Sequence, residues 1–314
     1  MSEHFSDRLL DAIDRCGAPV CVGIDPVLES LPSAVLERVP AEAREEGANA
    51  AAVDAIYDFS LTVLKTVAPL VPVVKIQSAF FEKYQWEGVR AYYALVKHAR
   101  EMGLLVIGDI KRGDMSTTAI AYAAGHIGDE SDAYPDAVTL NPLLGVDSMG
   151  PFIDAARKFN KGLFILVRTS NLGSGQFQDV KLADGRSWSQ MVADTLARVA
   201  AAGQFIGRRG FSAIGAVVGA TQEQTIPDLR KRLPHSIFLL PGYGAQGAAA
   251  AQTRAAFING SGAIVSASRS ILYAHAEAKY AERFGSDWAK CVEQAVLDMK
   301  EDLKGTLRVG KAEG

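Results

Sequence analysis

Between Gly108 and Asp114 the chain reads GDIKRGD, which sets two carboxylates and two basic side chains close together. On an extended strand, side chains two apart share a face, so Asp109 and Lys111 are expected to look into one cavity. Gly113 then permits a turn, which leaves Asp114 free to aim separately. Lys75, in VVKI, ends an earlier apolar run and is placed to approach Asp109. Ammonium and carboxylate groups alternating in this way hold each other ionised even when partly desolvated. A structural ion-pair network would use the same residue types. Two lysines and two aspartates gathered at strand ends favour the chemical reading.

A second constellation is PGYGAQGA at 241–248 with SASRSI at 266–271. Glycines let backbone N–H groups approach a phosphate, and a helix starting near Gly247 would add its positive end. Arg269 can supply a bidentate charged contact. The same glycines could simply make tight turns, but together with Arg269 they point to a phosphate ligand. Two single residues carry less. Asp25 in GIDP suits a sugar hydroxyl pair or a helix cap, and Ser170 suits a heterocycle or a polar loop.

These residues need a frame. Short runs rich in Val, Ile and Leu recur at 19–25, 71–76, 104–109, 136–140, 163–168, 213–218, 236–241 and 262–266. They read as strands buried on both faces, the pattern of a parallel sheet. Helical stripes lie between them. Ile56, Phe59, Val63 and Val67 follow a candidate Asn49 cap, and Val89, Tyr92, Tyr93 and Val96 precede a stop at Gly103. Trp188, Met191, Val192 and Val199 form a third stripe, and Val292, Val296 and Met299 follow Trp288 in the last. Eight strands alternating with helices predict a single α/β domain over 1–314, a (β/α)8 barrel, with an open doubly wound sheet as the other solution. Three connections are long, 26–48, 112–135 and 171–186. The last is Gly-rich and polar, which suggests a mobile lid, and 305–314 reads as a loose tail.

In such a barrel, chemistry collects where strands end and βα loops begin. The polar residues fall there: Asp25, Lys75 and Gln77, Asp109 and Lys111, Asn141, Arg168 to Ser170, Pro241 and Gly242, and Arg269.

Bulk properties exclude other classes. A formal charge of −3 gives no broad basic field for nucleic acid or an anionic membrane. Cys16, Cys21 and Cys291 show no metal-ligand spacing, and a sparse odd count fits a reducing compartment. The polar start MSEHFSDRLLDAIDRC lacks an apolar leader and no apolar run is long enough for a membrane span, so a cytoplasmic protein is expected. The histidines are scattered, with His98, His126 and His275 on expected helices, and no metal site is expected. There is no GxxxxGK[ST], GxSxG or strand-linked GxGxxG.

Over most of its length the sequence resembles the orotidine 5′-phosphate decarboxylases, in their longer bacterial subgroup. The resemblance runs in order through GIDP (23–26), VKIQSAFFE (74–82), GDIKRGDMSTTA (108–119), LNP (140–142), VRTSN (167–171), PGYGAQG (241–247) and SRSI (268–271). It implies decarboxylation of orotidine 5′-phosphate to uridine 5′-phosphate, the last step of UMP biosynthesis, without cofactor or metal. It implies that Lys111 donates the proton within a charged array with Asp109, Lys75 and Asp114. It further implies a homodimer in which Asp114, with Thr118 nearby, reaches the partner's site. Asp25 and Lys75 would hold the ribose hydroxyls and Ser170 the pyrimidine amide. Gln246 and Arg269, with the backbone of Pro241, Gly242 and Gly244, would grip the phosphate. Two rivals are a related sugar-phosphate barrel that uses Mg2+, and a catalytically silent nucleotide sensor.

Overall fold

A computed structural model describes residues 3–40, 50–129 and 131–309. Its parallel strands are β1 Val20–Ile24, β2 Val73–Gln77, β3 Leu105–Arg112, β4 Ala137–Leu140, β5 Gly162–Arg168, β6 Ser212–Val218, β7 Ser236–Pro241 and β8 Ala263–Ala267. They close in sequence order, and β8 returns to β1 through Cys21↔Ser266. The open-sheet alternative is thereby ruled out.

Helices cover the outside because each strand is buried on both faces. They include α1 Phe5–Cys16, α2 Ala50–Val67, α3 Gln85–Glu101, α4 Ser116–Ile127, α5 Val146–Lys158, α6 Trp188–Ala200, α7 Ile226–Arg232, α8 Ala278–Phe284 and α9 Trp288–Val309. The expected α2 stripe is buried in full, as are Val292, Val296 and Met299 of α9. Asn49 lies outside the described residues. On α3 the stripe turns slightly from expectation, with Val89 exposed and Leu95 and Ala99 buried beside Tyr92 and Val96. On α6 the buried face is Val192, Ala193 and Leu196, with Trp188, Met191 and Val199 at its edge. Ser187 starts this helix with a capping box, accepting from Gln190 N at 3.2 Å while Gln190 Oε1 accepts from Ser187 N at 2.7 Å.

The long connections also fold. The described part of segment 26–48, residues 26–40, contains a 3-10 turn, Leu28–Ser30, and a one-turn helix, Ser33–Leu36; residues 41–48 lie outside the described residues. Half of 112–135 is α4. Of the expected loose tail, residues 305–309 are helical, because Leu303 is fully buried and holds α9 to the barrel, and residues 310–314 lie outside the described residues.

The barrel interior is graded along its axis. Its lower part is filled by Cys21, Val73, Ile107, Ala137, Phe164, Ile237 and Ile264, and α1 closes that end with Phe5, Leu9 and Leu10. Phe5 meets Phe164 edge-on at 6.2 Å between centroids. One step further along the strands, inward positions become polar: Lys75 on β2, Asp109 on β3, Thr139 on β4 and Ser266 on β8. Burying the apolar layer below fixes the strand ends that carry the polar layer above.

Candidate active site

The polar layer opens into a cavity of about 530 Å3 at the C-terminal ends of the strands. Its floor is Leu166, Val217 and Leu239. One wall carries Asp25, Lys75, Asp109 and Lys111, and the rest of the lining includes residues of the loops that follow β5, β7 and β8.

Asp109 is the centre of the charged wall, and it is only 5% exposed. Its Oδ1 takes Lys111 Nζ at 2.6 Å and the Thr139 hydroxyl at 2.8 Å. Its Oδ2 takes Lys75 Nζ at 2.8 Å and Gln77 Nε2 at 3.1 Å. Each carboxylate oxygen therefore has two donors. Burial alone would raise the pKa of Asp109, but Lys75 and Lys111 overcome it and hold the carboxyl well below its usual range. Burial likewise works against the charged form of Lys75, and Asp109 and then Asp25 reverse it, so the ammonium is held above its ordinary value. Asp25 Oδ1 lies 3.5 Å from Lys75 Nζ. The two lysines differ in access, since the side chain of Lys75 is 9% exposed and that of Lys111 44%.

Simple alternation foresees Asp109 and Lys111 on one face but misses how the backbone achieves it. Lys111 has φ 47°, in the left-handed region, and the β3–β4 register shifts between Gly108 and Arg112. The Lys111 N–H goes to Thr139 Oγ1 at 3.0 Å, so a side chain occupies a place in the ladder. Gly113 is needed for closeness rather than a special dihedral: a Cβ there would lie 2.8 Å from the carbonyl oxygen of Asn141.

The loop after β7 folds back on itself. Gly244 N donates to Ala248 O at 2.9 Å and Ala248 N to Gly242 O at 3.2 Å. Pro241, Gly242 and Gln246 line the cavity, as does Arg269 after β8. Gly244 does not line it, and its N–H is spent on Ala248. The helix expected near Gly247 is a single turn, Ala250–Thr253, preceded by an Ala249 N–H that Gln252 Oε1 takes at 2.7 Å. It supplies no dipole of consequence, which leaves Arg269 and Gln246 as the charged and polar groups for an anion there. Gly242 has φ 112°, and a Cβ on it would lie 3.2 Å from Gln246 Oε1 and 3.6 Å from Ser170 Cβ. The loops after β5 and β7 meet at this glycine.

Ser170 stands on the cavity wall with Thr169, Asn171 and Gln178. Segment 171–186, expected as a mobile lid, is folded onto the barrel mouth through a 3-10 turn, Leu172–Ser174, and a one-turn helix, Gly175–Gln178. Arg168 anchors it, and its side chain is 5% exposed.

Asp114 and Thr118 are not on the wall of this cavity. Asp114 Oδ1 accepts the N–H of Met115 at 2.7 Å, and Thr118 is exposed near the start of α4. Asn141 is also off the wall, its Oδ1 taking Leu143 N at 3.0 Å. Thr139 and Gln178 escaped the sequence reading as site residues, and that reading sets Arg168 at its strand end without a role. Thr139 has a period-two signal, since it follows Ala137 into the barrel on β4. Gln178 has none.

A family model described as the orotidine 5′-phosphate decarboxylase / HUMPS family matches residues 18–284. The chain is 40% identical over 307 residues to the orotidine 5′-phosphate decarboxylase of Rhodopirellula baltica, covering 96% of this chain and 99% of that one. It is 36% identical over 298 residues to that of Clostridium botulinum, covering 95% and 98%. A crystal structure from Streptomyces avermitilis superposes with a TM-score of 0.77 at 32% identity, over 98% of this chain and 97% of that one. The Leishmania donovani OMP decarboxylase shares the fold with a TM-score of 0.69 at 24% identity, over 97% and 99%.

Proposed function

The chain belongs to the orotidine 5′-phosphate decarboxylase family, and from that premise we propose how its own residues convert orotidine 5′-phosphate to uridine 5′-phosphate, the last step of UMP biosynthesis. The barrel acts as one catalytic domain. The observation that carries the mechanism is Asp109 buried between two ammonium groups, of which Lys111 alone is substantially open to the cavity.

The pyrimidine ring lies on Leu166, Val217 and Leu239, with its C6 carboxylate toward Asp109. The C6–CO2 bond breaks, its electron pair stays on C6, and CO2 leaves. Lys111 stabilises that charge and transfers a proton from Nζ to C6, and solvent then reprotonates the amine. Asp109 serves twice. It fixes Lys111 at 2.6 Å, and its negative charge disfavours the substrate carboxylate more than the product. Lys75 and Asp25 bind the ribose hydroxyls, Ser170 contacts the pyrimidine amide, and Arg269 and Gln246 bind the phosphate with Pro241 and Gly242. Because the loops after β5 and β7 meet at Gly242, phosphate binding at one can close the other over the ring and exclude water.

We also propose that the working form is a homodimer in which Asp114 and Thr118 complete the partner's site. Support comes from the surface around them. Met115 is 58% exposed and Ile120 57%, with Leu143 and Leu144 exposed close behind β4, so the two polar residues sit in an apolar face. Among the described residues no helix is long and apolar enough to cross a membrane.

The deciding assay follows the ultraviolet absorbance of orotidine 5′-phosphate with wild type and Lys111→Ala, in EDTA. Conversion by wild type alone supports the mechanism. An inert, folded wild type sinks it, and equal rates would displace Lys111 as the donor.

A further inference from the structure

Arg168 ends β5, and the hydrogen bonds of its guanidinium go to the segment that follows. Nη1 donates to Thr169 O at 3.3 Å, to Gln178 Oε1 at 3.2 Å and to Ser174 Oγ, while Nη2 donates to Asp179 Oδ2 at 2.9 Å. The backbone N–H of Thr169 also donates to Gln178 Oε1, at 2.8 Å. Neither a guanidinium nor a backbone N–H can accept, so the oxygen of the Gln178 amide must face them and its nitrogen must face away. Nε2 donates one hydrogen to Thr169 Oγ1 at 2.9 Å, and that hydroxyl in turn donates to Asn171 Oδ1 at 2.7 Å. One Nε2 hydrogen remains, on a side chain that lines the substrate cavity beside Ser170.

We propose that Gln178 is a specificity-determining residue for the pyrimidine ring and that Arg168 is its positioning residue. The free Nε2 hydrogen donates to the C4 carbonyl oxygen of the ring. A 4-amino ring presents a donor to that donor and is rejected. This rests on the ring placement proposed above. Leaving a buried polar group unpaired against the wrong ring is a stronger discriminator than any difference in size. The exposed Leu172, Phe177 and Val180 on the outside of the segment contribute nothing to this, so the polar anchor alone decides the amide's orientation.

The test measures inhibition of orotidine 5′-phosphate turnover by UMP and by its 4-amino counterpart CMP. Gln178→Ala should cut the preference for UMP by about tenfold, the effect of one hydrogen bond, and raise KM while leaving kcat within about threefold. Gln178→Glu keeps acceptors for Arg168 and Thr169 but offers no donor, and it should lose the same preference. Arg168→Ala should match Gln178→Ala in that ratio, and the double variant should add nothing further. An unchanged ratio in an active Gln178→Ala enzyme overturns the assignment, and a ratio retained by Gln178→Glu reduces Gln178 to an anchor. Loss of stability and kcat in Arg168→Ala with the ratio intact would make Arg168 merely structural. If the wild type does not turn over orotidine 5′-phosphate at all, the functional reading itself has failed, and this assignment falls with it.

Discussion

The Thr139 hydroxyl donates to Asp109 Oδ1 at 2.8 Å, from the strand next to the one that carries the carboxylate. Thr139 Oγ1 also accepts the backbone N–H of Lys111 at 3.0 Å. One hydroxyl thus holds both the carboxylate and the left-handed turn of chain from which Lys111, the proposed proton donor, projects. A threonine is well suited to this, because its β-branched side chain is stiff at χ1 and keeps the hydroxyl aimed.

Replacing Thr139 by Val removes the hydroxyl at nearly constant volume and leaves two partners short, the buried Asp109 carboxylate and the Lys111 N–H. A hydrogen bond to a charged group contributes about 1.5–3 kcal/mol. If that falls on the transition state, kcat drops about 10- to 100-fold. Steady-state kinetics should show the loss in kcat with KM little changed, and Thr139→Ser should recover most of it. A Val variant with wild-type kcat would show that Lys111 is positioned without this tie.

Asp109→Asn should cost stability as well as catalysis. It removes the charge that offsets the burial of Lys75, and breaking one partner of a buried pair costs about 3–5 kcal/mol. The pH dependence has a definite sign. Because the folded pKa of Asp109 is lowered, its stabilisation is complete above the unfolded value near 3.9 and is lost as pH falls toward the folded one. Denaturant melts should show a gap between wild type and Asp109→Asn that is constant near neutrality and narrows only below about pH 4. A gap that closed between pH 5 and 7 would mean the carboxyl is not held ionised.

Much of this site could be read from the chain, and the exceptions share a physical cause. Asp109, Lys111 and Lys75 were accessible because strand alternation and the run of Val and Ile around them fix which way they point. Arg168 has the same local pattern, but its guanidinium turns onto the following segment, a choice set by Gln178 and Asp179 ten or so residues on. The left-handed φ of Lys111 has no local signal either, since lysine does not favour it and Thr139 on another strand supports it. The helical end of α9 was hidden because its polar composition resembles a tail until the burial of Leu303 is known.

At the opposite end of the barrel, Lys161 is 2% exposed and its Nζ has no hydrogen-bond partner among the described residues. Burial and then the nearby Arg100 push it down to about 8, against the pull of Asp136. A lowered lysine costs nothing above its unfolded pKa near 10.4, and the penalty is complete once pH falls below about 8. Lys161→Met should therefore stabilise the protein at pH 7, by about 1–3 kcal/mol if the unpaired donor is the main cost. The advantage should fade between pH 8 and 10.5 in thermal or denaturant unfolding. A variant less stable at pH 7 would indicate that Lys161 is paired in solution.

Gly242 tests the loop junction. At φ 112°, with Gln246 and Ser170 close by, an alanine is strained both by its dihedral and by its Cβ. Such strain costs about 1–3 kcal/mol, and although Gly242 itself is buried, the exposed loop that follows it, residues 244–247, can move to relieve the strain without unfolding the barrel. Gly242→Ala should then raise KM about tenfold or more, with a melting temperature near that of wild type. A change in melting temperature with KM intact would place the junction outside substrate binding.

The homodimer proposal makes a sharper demand than a measurement of mass. Asp114 lies off the cavity wall of its own chain, whereas Lys111 lies on it. If each site takes Lys111 from one chain and Asp114 from the other, Lys111→Ala and Asp114→Ala are both nearly inactive alone. On mixing and exchange, half the dimers become hybrids, and each hybrid holds one site with both residues intact. Activity should rise to about a quarter of wild type, and it should appear at the rate of subunit exchange. Should mixing restore nothing while exchange is demonstrated by labelled subunits, Asp114 acts within its own chain or not at all. The loop at Gly113 would then have to move to bring it in.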